Sequence, residues 1–332
     1  RNPVDAYARK RHRSSGRTMR SRFRPCLLAS RVFKVPRRSF SAAARFHAAT
    51  SGRVLPDPHN VSNQLDSDTI QAIVHRLEER GRNETFRSLF SYFSKIPTDA
   101  KVLEVGCGTG VMARLLCKYP GFNGHITGVD QCQGFLDVAR EKALEEGCDM
   151  SKISFIEGDA HDLSSSLSGE KLNSFDVVVM HTFLSHATHP KTVLRSAAGV
   201  AAEGSKLIVM DGDYSSLSYS HSEDWIGKGM DQALVNATFT KPGIIRELVG
   251  KIHTTGWELK SAEAQCVAEI GSSANYWVTF AEFYAPRVKA SGLMDEDIVD
   301  QWLLDQAANL SEGRFFAACN YYTLIAEKSV KK

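Results

Sequence analysis

Three glycines follow an apolar alternation in Lys101–Gly110, read KVLEVGCGTG. Val102, Leu103 and Val105 predict a strand, and Val111–Tyr119 predicts a helix directly after Gly110. Glycines at a strand-to-helix turn let backbone approach a ligand without an intervening Cβ, and the first helical N–H groups face it. The spacing of Gly106, Gly108 and Gly110 sorts the ligands: a dinucleotide fingerprint needs its third glycine where Val111 stands. Glu104, two positions before Gly106, suits a ligand with a cationic amine better than one with two phosphates. Asp130 ends HITGVD and lies twenty residues after Gly110, where a second strand delivers an acid and the adjacent Gln131 to ribose hydroxyls. Asp159 and Ala160 end FIEGDA, a third short apolar run, and His181 ends the run FDVVVM. His181 and His186 titrate near neutrality as a type and are the candidate general bases.

The E-x-G-x-G-x-G run, with acids at the ends of the next two strands, resembles motif I and its partners in the class I S-adenosylmethionine (SAM)-dependent methyltransferases. The likeness covers about residues 65–328 and is nearest to the UbiE-like, methyltransferase type 11 group of small-molecule enzymes. It implies SAM as cofactor and S-adenosylhomocysteine as product. Glu104, Gly106, Cys107, Gly108, Gly110, Asp130, Gln131, Asp159, Ala160 and His181 are then the cofactor contacts, with Asp159 beside the adenine. The acceptor is expected to be a small molecule methylated on O, N or S. Asp211, Asp213, Tyr214 and Tyr219 follow strand five, a usual place for acceptor contacts, and Tyr276 joins them from a later aromatic cluster. Met180-His181-Thr182-Phe183 is not the Asp/Asn-Pro-Pro-aromatic motif of enzymes that methylate exocyclic amines of bases. No metal site, arsenic-binding cysteine set or further quinone-enzyme signature is evident. The rival functions are an NAD(P)-dependent oxidoreductase, disfavoured by the early third glycine and Glu104, and a non-catalytic SAM-fold assembly factor, disfavoured by the intact glycine turn.

To place these residues, strands are expected at 101–105, 126–130, 153–156, 175–181 and 205–210, with helices near 111–119, 134–146 and 191–202. This alternation predicts an α/β, Rossmann-like, seven-stranded and mostly parallel sheet with helices on both faces. Helix-like Lys241–Thr255 leads to a sixth strand, Trp257–Cys266. The last strand, Asn320–Lys328, is expected to slot in antiparallel between strands five and six, as the resemblance implies. Helical caps are predicted on either side: N-terminal helices from Asp66 and over Glu84–Phe93, and an insertion over 267–318 containing Tyr276, Trp277, Phe280 and a helix at Asp295–Leu310. The N-terminal helices either cover the cofactor or only pack on the sheet, and the insertion is either a lid or an extra layer. Asp211–Trp225 reads as a polar loop, and 54–63 as a linker broken by Pro56 and Pro58.

Composition sets the remaining bounds. The 332 residues carry a net +3, but residues 1–53 hold 15 Lys/Arg against one acid, leaving −11 on the remainder. Nucleic acid is therefore not an expected partner of the folded part. Seven scattered cysteines without a C-x-x-C pair fit a reducing compartment. No run of eighteen apolar residues is present, so no transmembrane helix is expected. Within the leader 1–53, Met19–Ser51 is rich in Arg, Ser and Ala, the composition of a mitochondrial matrix address, with a cleavage-like Arg37-Arg38-Ser39-Phe40-Ser41; a plastid address or a plain cytoplasmic tail are the alternatives. The chain begins on Arg1, and residues before Met19 are compatible with untranslated upstream sequence. Domains are thus expected at 1–53 (leader), 54–99 (linker and N-terminal helices) and 100–332 (methyltransferase domain).

Overall fold

A computed structural model describes residues 55–60, 67–167 and 172–329. The basic stretch 1–53 and the Asp66 end of the first expected helix lie outside them. Seven strands form one sheet in the order β3-β2-β1-β4-β5-β7-β6. They are β1 (Lys101–Val105), β2 (His125–Asp130), β3 (Ile153–Glu157), β4 (Phe175–His181), β5 (Ala201–Tyr219), β6 (Trp257–Ile270) and β7 (Phe316–Lys328). The first five pair in parallel, and β7 runs antiparallel to both β5 and β6, as expected. Strand order reverses between β1 and β4, so helices leave their carboxyl ends toward opposite sides and a crevice opens there.

The near-continuous apolar runs of β1 and β4 follow from burial on both faces. Leu103, Val105, Val178 and Met180 join Val193, Leu194 and Leu248 from flanking helices in the central core. The helices are α1 (Ser67–Arg82), α2 (Glu84–Arg87, continued by a 3-10 turn to Lys95), α3 (Val111–Cys117), α4 (Gln133–Glu145), α5 (Leu163–Ser166), α6 (Pro190–Val200), α7 (Asp224–Thr238), α8 (Ile244–His253), α9 (Tyr276–Ser291) and α10 (Glu296–Ser311).

Two readings are corrected. The polar stretch after Met210 is not a loop: β5 continues to Tyr219, paired with β7 and bulged between Asp213 and Ser218. Asp211 is tolerated there because it accepts from the N–H groups of Ser185 (3.0 Å) and Gly212 (2.9 Å). The sequence reading also passed over α7, whose Ile226, Met230, Ala233 and Leu234 form a buried face at helical spacing.

The N-terminal cap lines the crevice with Leu77 and Arg80, and the insertion meets it from behind through the Tyr276–Arg80 hydrogen bond. Glu78 on α1 accepts two hydrogen bonds from Arg114 on α3 (2.7 and 2.9 Å) and one from Thr109 (2.7 Å), tying α1 to the glycine turn. The insertion helix α9 is fixed at its start by Glu269 of β6, which accepts from the N–H groups of Asn275, Tyr276 and Trp277 at 3.2, 3.1 and 2.8 Å. A carboxylate there satisfies orphan N–H groups and complements the helix dipole.

Candidate active site

The cradle is assembled by β1, the glycine turn and the end of β2. Gly106 has φ +71°, and a Cβ there would fall 2.1 Å from the Phe183 ring. Gly110, left-handed at φ +72°, caps α3, and its Cβ would come within 2.6 Å of Phe155. Only glycine meets both conditions at either position. The turn is held by β2: Gly106 and Cys107 both donate to the Val129 carbonyl, at 2.8 and 3.0 Å. Asp130 accepts from the N–H of Gly108 at 2.8 Å and of Cys132 at 3.0 Å. Burial raises the Asp130 carboxyl, and the N–H groups of Cys132, Gly108 and Gln131 oppose that rise.

Glu104 is 3% exposed and accepts a backbone hydrogen bond from Ala113, in the first turn of α3. That N–H is therefore occupied from within the protein. The other carboxylate oxygen, Oε2, is buried without a partner. Burial, followed by repulsion from Asp130, pushes the carboxyl well above its usual range. A buried carboxylate oxygen with nothing to accept from fits a cationic amine on a ligand. Burial likewise pushes the Cys107 thiol up, so this side chain fills space and is not a ready nucleophile.

The turn after β4 lines the same cavity beside the glycine turn. His181 stacks on Phe90, with ring centroids 4.5 Å apart, and its Nδ1 lies 2.8 Å from the Tyr92 hydroxyl. Burial and the nearby Arg80 charge lower its pKa to about 3. Thr182 adopts a left-handed φ of 51°, rare for a β-branched residue. Its hydroxyl accepts from Arg80 Nη1 at 2.5 Å, and its N–H donates to Met210 at 2.6 Å. Strain of this kind persists where surrounding contacts over-determine it.

His186 has a different environment. Its Nδ1 is 2.8 Å from Asp57 Oδ2, and both side chains are buried. Asp57 also accepts from the His59 N–H (3.0 Å) and from the N–H and hydroxyl of Thr240 (both 3.1 Å). Burial alone would raise the Asp57 carboxyl, but the charge and hydrogen bond of His186, with His59, carry it below its usual value. His59 packs on His186 at a centroid distance of 4.2 Å. Asn60 donates to the His186 carbonyl at 2.5 Å, and Gln131 reaches the carbonyls of His59 and Asn60 at 3.3 and 3.4 Å. The segment 55–60, expected as linker, thus brings a carboxylate to His186 and a strap to the end of β2.

One cavity unites Glu104, Gly106, Cys107, Gly108, Asp130 and Gln131 with Asp159, Ala160, His181 and His186. Gly110 shapes the turn from behind it. Asp211, Asp213, Tyr214, Tyr219 and Tyr276 do not line it. Asp213 is ion-paired with Arg246 at 2.9 Å, Tyr214 stacks on Phe239 at 3.6 Å, and Tyr219 donates to the Trp277 carbonyl at 2.7 Å. Tyr276 stands just behind the wall, its hydroxyl 3.0 Å from Arg80 Nε. Sequence reasoning missed Asp57, His59 and Arg80; the one available signal was an acid and a histidine between the prolines and Asn60 of a stretch otherwise read as spacer.

Asp130→Ala is expected to weaken S-adenosylhomocysteine binding by ~1–3 kcal/mol through lost charge-assisted hydrogen bonds. Calorimetric titration checks this, and unchanged affinity would remove Asp130 from the site.

A family model described as a methyltransferase domain matches residues 97–264. The ubiquinone biosynthesis O-methyltransferase of Vibrio parahaemolyticus is 35% identical over 104 residues, covering 31% of this chain and 40% of that protein. The ubiquinone/menaquinone biosynthesis C-methyltransferase UbiE of Pseudomonas paraeruginosa is 28% identical over 155 residues, 46% of this chain and 55% of the relative. The chain therefore matches about half or less of the length of these relatives. Among solved structures, the [4+2]-cyclase SpnF shares the fold, with a TM-score of 0.51 at 17% identity over 85% of this chain and 99% of that one.

Proposed function

This chain belongs to the class I SAM-dependent methyltransferase family, and from that premise we propose that it methylates a hydroxyl-bearing small molecule, with His186 as general base. The observation that carries the reading is one cavity lined by both a partnerless Glu104 oxygen beside the glycine turn and an Asp57-bound imidazole. SAM, when bound, supplies an electrophilic methyl group on a sulfonium. Glu104 takes its amine, Asp130 and Gln131 its ribose hydroxyls, and Asp159 and Ala160 flank its base. Phe90 and Phe183 exclude water from the wall they share. Holding an acceptor in line in such a site is worth up to ~7–11 kcal/mol in ideal cases.

Asp57 occupies His186 Nδ1, which leaves Nε2 free of the proton and able to take one from an acceptor hydroxyl. His181 is the weaker candidate, because a ring with a pKa near 3 has little affinity for a proton at neutral pH. It serves better as a wall, pinned between Phe90 and Tyr92.

Titration with SAM, S-adenosylhomocysteine and NADH tests the cofactor: the first two are expected to bind and NADH is not. Binding of NADH alone would favour the oxidoreductase reading, and binding of none the assembly-factor reading. A screen for transfer of radiolabelled methyl groups into phenolic and alcoholic metabolites then tests the acceptor class. The basic residues 1–53 are proposed to act as a mitochondrial matrix address. Fused to a fluorescent protein, they are expected to carry it into mitochondria; a diffuse cytoplasmic signal would overturn that.

A further inference from the structure

The amino-acid tail of SAM carries its amine and its carboxylate on the same carbon, so the protein groups that hold the two must lie close together. Glu104, whose Oε2 is buried without a partner, serves the amine. The carboxylate needs a donor beside it. Much of the glycine turn is already spent. The N–H groups of Gly106 and Cys107 go to the Val129 carbonyl, that of Gly108 to Asp130, that of Gly110 to the Cys107 carbonyl and that of Ala113 to Glu104.

The end of α1 lies over that turn. Leu77 Cδ1 stands 3.1 Å from where a Cβ on Gly108 would fall, Glu78 accepts from Thr109 at 2.7 Å, and a Cβ on Gly81 would come within 2.7 Å of Val111. Arg80 belongs to the same turn of helix and lines the cavity; among the described residues it is the only lysine or arginine in the lining. Its Nη1 donates to the Thr182 hydroxyl at 2.5 Å, and the next residue, Phe183, is the ring that a Cβ on Gly106 would strike at 2.1 Å. These contacts set Arg80 beside the glycine turn. Its Nε donates to the Tyr276 hydroxyl at 3.0 Å, and the two bonds together fix the guanidinium plane. They use two of its five N–H groups. Among the described residues, no carboxylate lies within ion-pair distance of it. A buried cation is costly unless it is paired, and a guanidinium held in plane with donors to spare takes a carboxylate through two parallel hydrogen bonds.

We propose that Arg80 is the partner of the cofactor's carboxylate, so that Glu104 and Arg80 together read the two charges of its amino-acid tail. The inference rests on the SAM-dependent reading of the same cavity. It also ties the cofactor to the turn after β4: the guanidinium that takes the carboxylate is the one that holds the left-handed Thr182.

The full chain is titrated calorimetrically with S-adenosylhomocysteine, with its decarboxylated analogue S-adenosyl-thiopropylamine, which keeps the amine, and with methylthioadenosine, which lacks both charges. S-adenosylhomocysteine is expected to bind the wild type at least about tenfold more tightly than the decarboxylated analogue. Arg80→Gln is expected to abolish that preference by weakening S-adenosylhomocysteine alone; the decarboxylated analogue and methylthioadenosine should bind the variant no more weakly than the wild type. Arg80→Lys should retain part of the preference, as a point charge without the fork. Near-ultraviolet circular dichroism certifies that each variant is folded. Tyr276→Phe, which loosens the guanidinium but keeps its charge, is expected to reduce the preference and replaces Arg80→Gln if that variant does not fold. Equal binding of S-adenosylhomocysteine and the decarboxylated analogue to the wild type overturns the inference. So does a preference that survives in Arg80→Gln, which would free Arg80 for the acceptor, or an equal loss of all three ligands in that variant. In each of these cases the wild type still binds S-adenosylhomocysteine and the SAM-dependent reading stands. Failure of the wild type to bind S-adenosylhomocysteine overturns that reading and the inference with it.

Discussion

Glu104→Gln is expected to make the free protein more stable and the cofactor-bound protein harder to form. The carboxyl is buried, has one partnerless oxygen, and is held well above its usual pKa by burial and by Asp130. A folded-state pKa raised above the unfolded one means that the folded chain binds more protons through the intervening window. Stability therefore falls as pH rises from the ordinary glutamate value to the raised one, and the penalty is fully present above it. Glutamine keeps an oxygen for the Ala113 N–H and removes the charge. The free chain should gain ~1 kcal/mol, read as a melting temperature roughly 2–4 °C higher at neutral pH, and lose that part of the pH slope. The cofactor responds in the opposite sense, because a cationic amine next to Oε2 turns the same carboxylate from a liability into a partner. Its loss should weaken S-adenosylhomocysteine binding by ~1.5–3 kcal/mol, about 10- to 150-fold. Methylthioadenosine, which lacks the amino-acid portion, should bind the variant and the wild type alike. An equal loss for both ligands, or none for either, would mean that Glu104 does not face the amine.

The cofactor end of the site is legible in the sequence because it is local. Glu104, Gly106 and Gly108 belong to one strand-turn unit, and the acid at the end of β2 bonds that turn directly. Short-range rules of strand, glycine and helix start are enough to place it. The rest of the cavity depends on chain segments far apart. Asp57 meets His186 across 129 positions, and Arg80 meets Tyr276 across 196. No periodicity announces such a pair; it arises only after the sheet brings the end of β4 against the N-terminal segment and the insertion. The misread strand has the same origin. Asp211 looks like a loop residue until Ser185 and Gly212 are seen to satisfy it, and Asp213 until Arg246 is seen to pair with its Oδ2. Burial of polar groups inside a strand is set by partners elsewhere in the chain, so local polarity misled the reading there.

His186→Gln is expected to lower kcat by ~10²–10⁴-fold at saturating SAM, with cofactor affinity within about twofold of the wild type. The size follows from removing a positioned base from a step in which the acceptor hydroxyl loses its proton. Asp57→Asn should reproduce much of this loss with His186 still present. An asparagine amide can present an N–H to Nδ1, which favours a proton on Nε2, the atom that must accept one. Asp57 also anchors Thr240 and the His59 backbone, so some loss of thermal stability is expected alongside. The two effects separate when the rate at saturating substrate is set against the melting temperature: a purely structural role would move the second and leave the first. His181→Phe keeps the ring stacked on Phe90 and discards only a group whose pKa is already near 3. Its kcat should stay within a few-fold of the wild type, well short of a positioned base's contribution. The pairwise comparison decides the assignment, because both histidines border the same cavity and only one is paired with a carboxylate. A wild-type rate in His186→Gln would leave the reaction without a base from this chain and would favour an acceptor that attacks without losing a proton first, such as a neutral amine or a thioether. A collapse in His181→Phe with an intact His186→Gln would exchange the roles of the two rings.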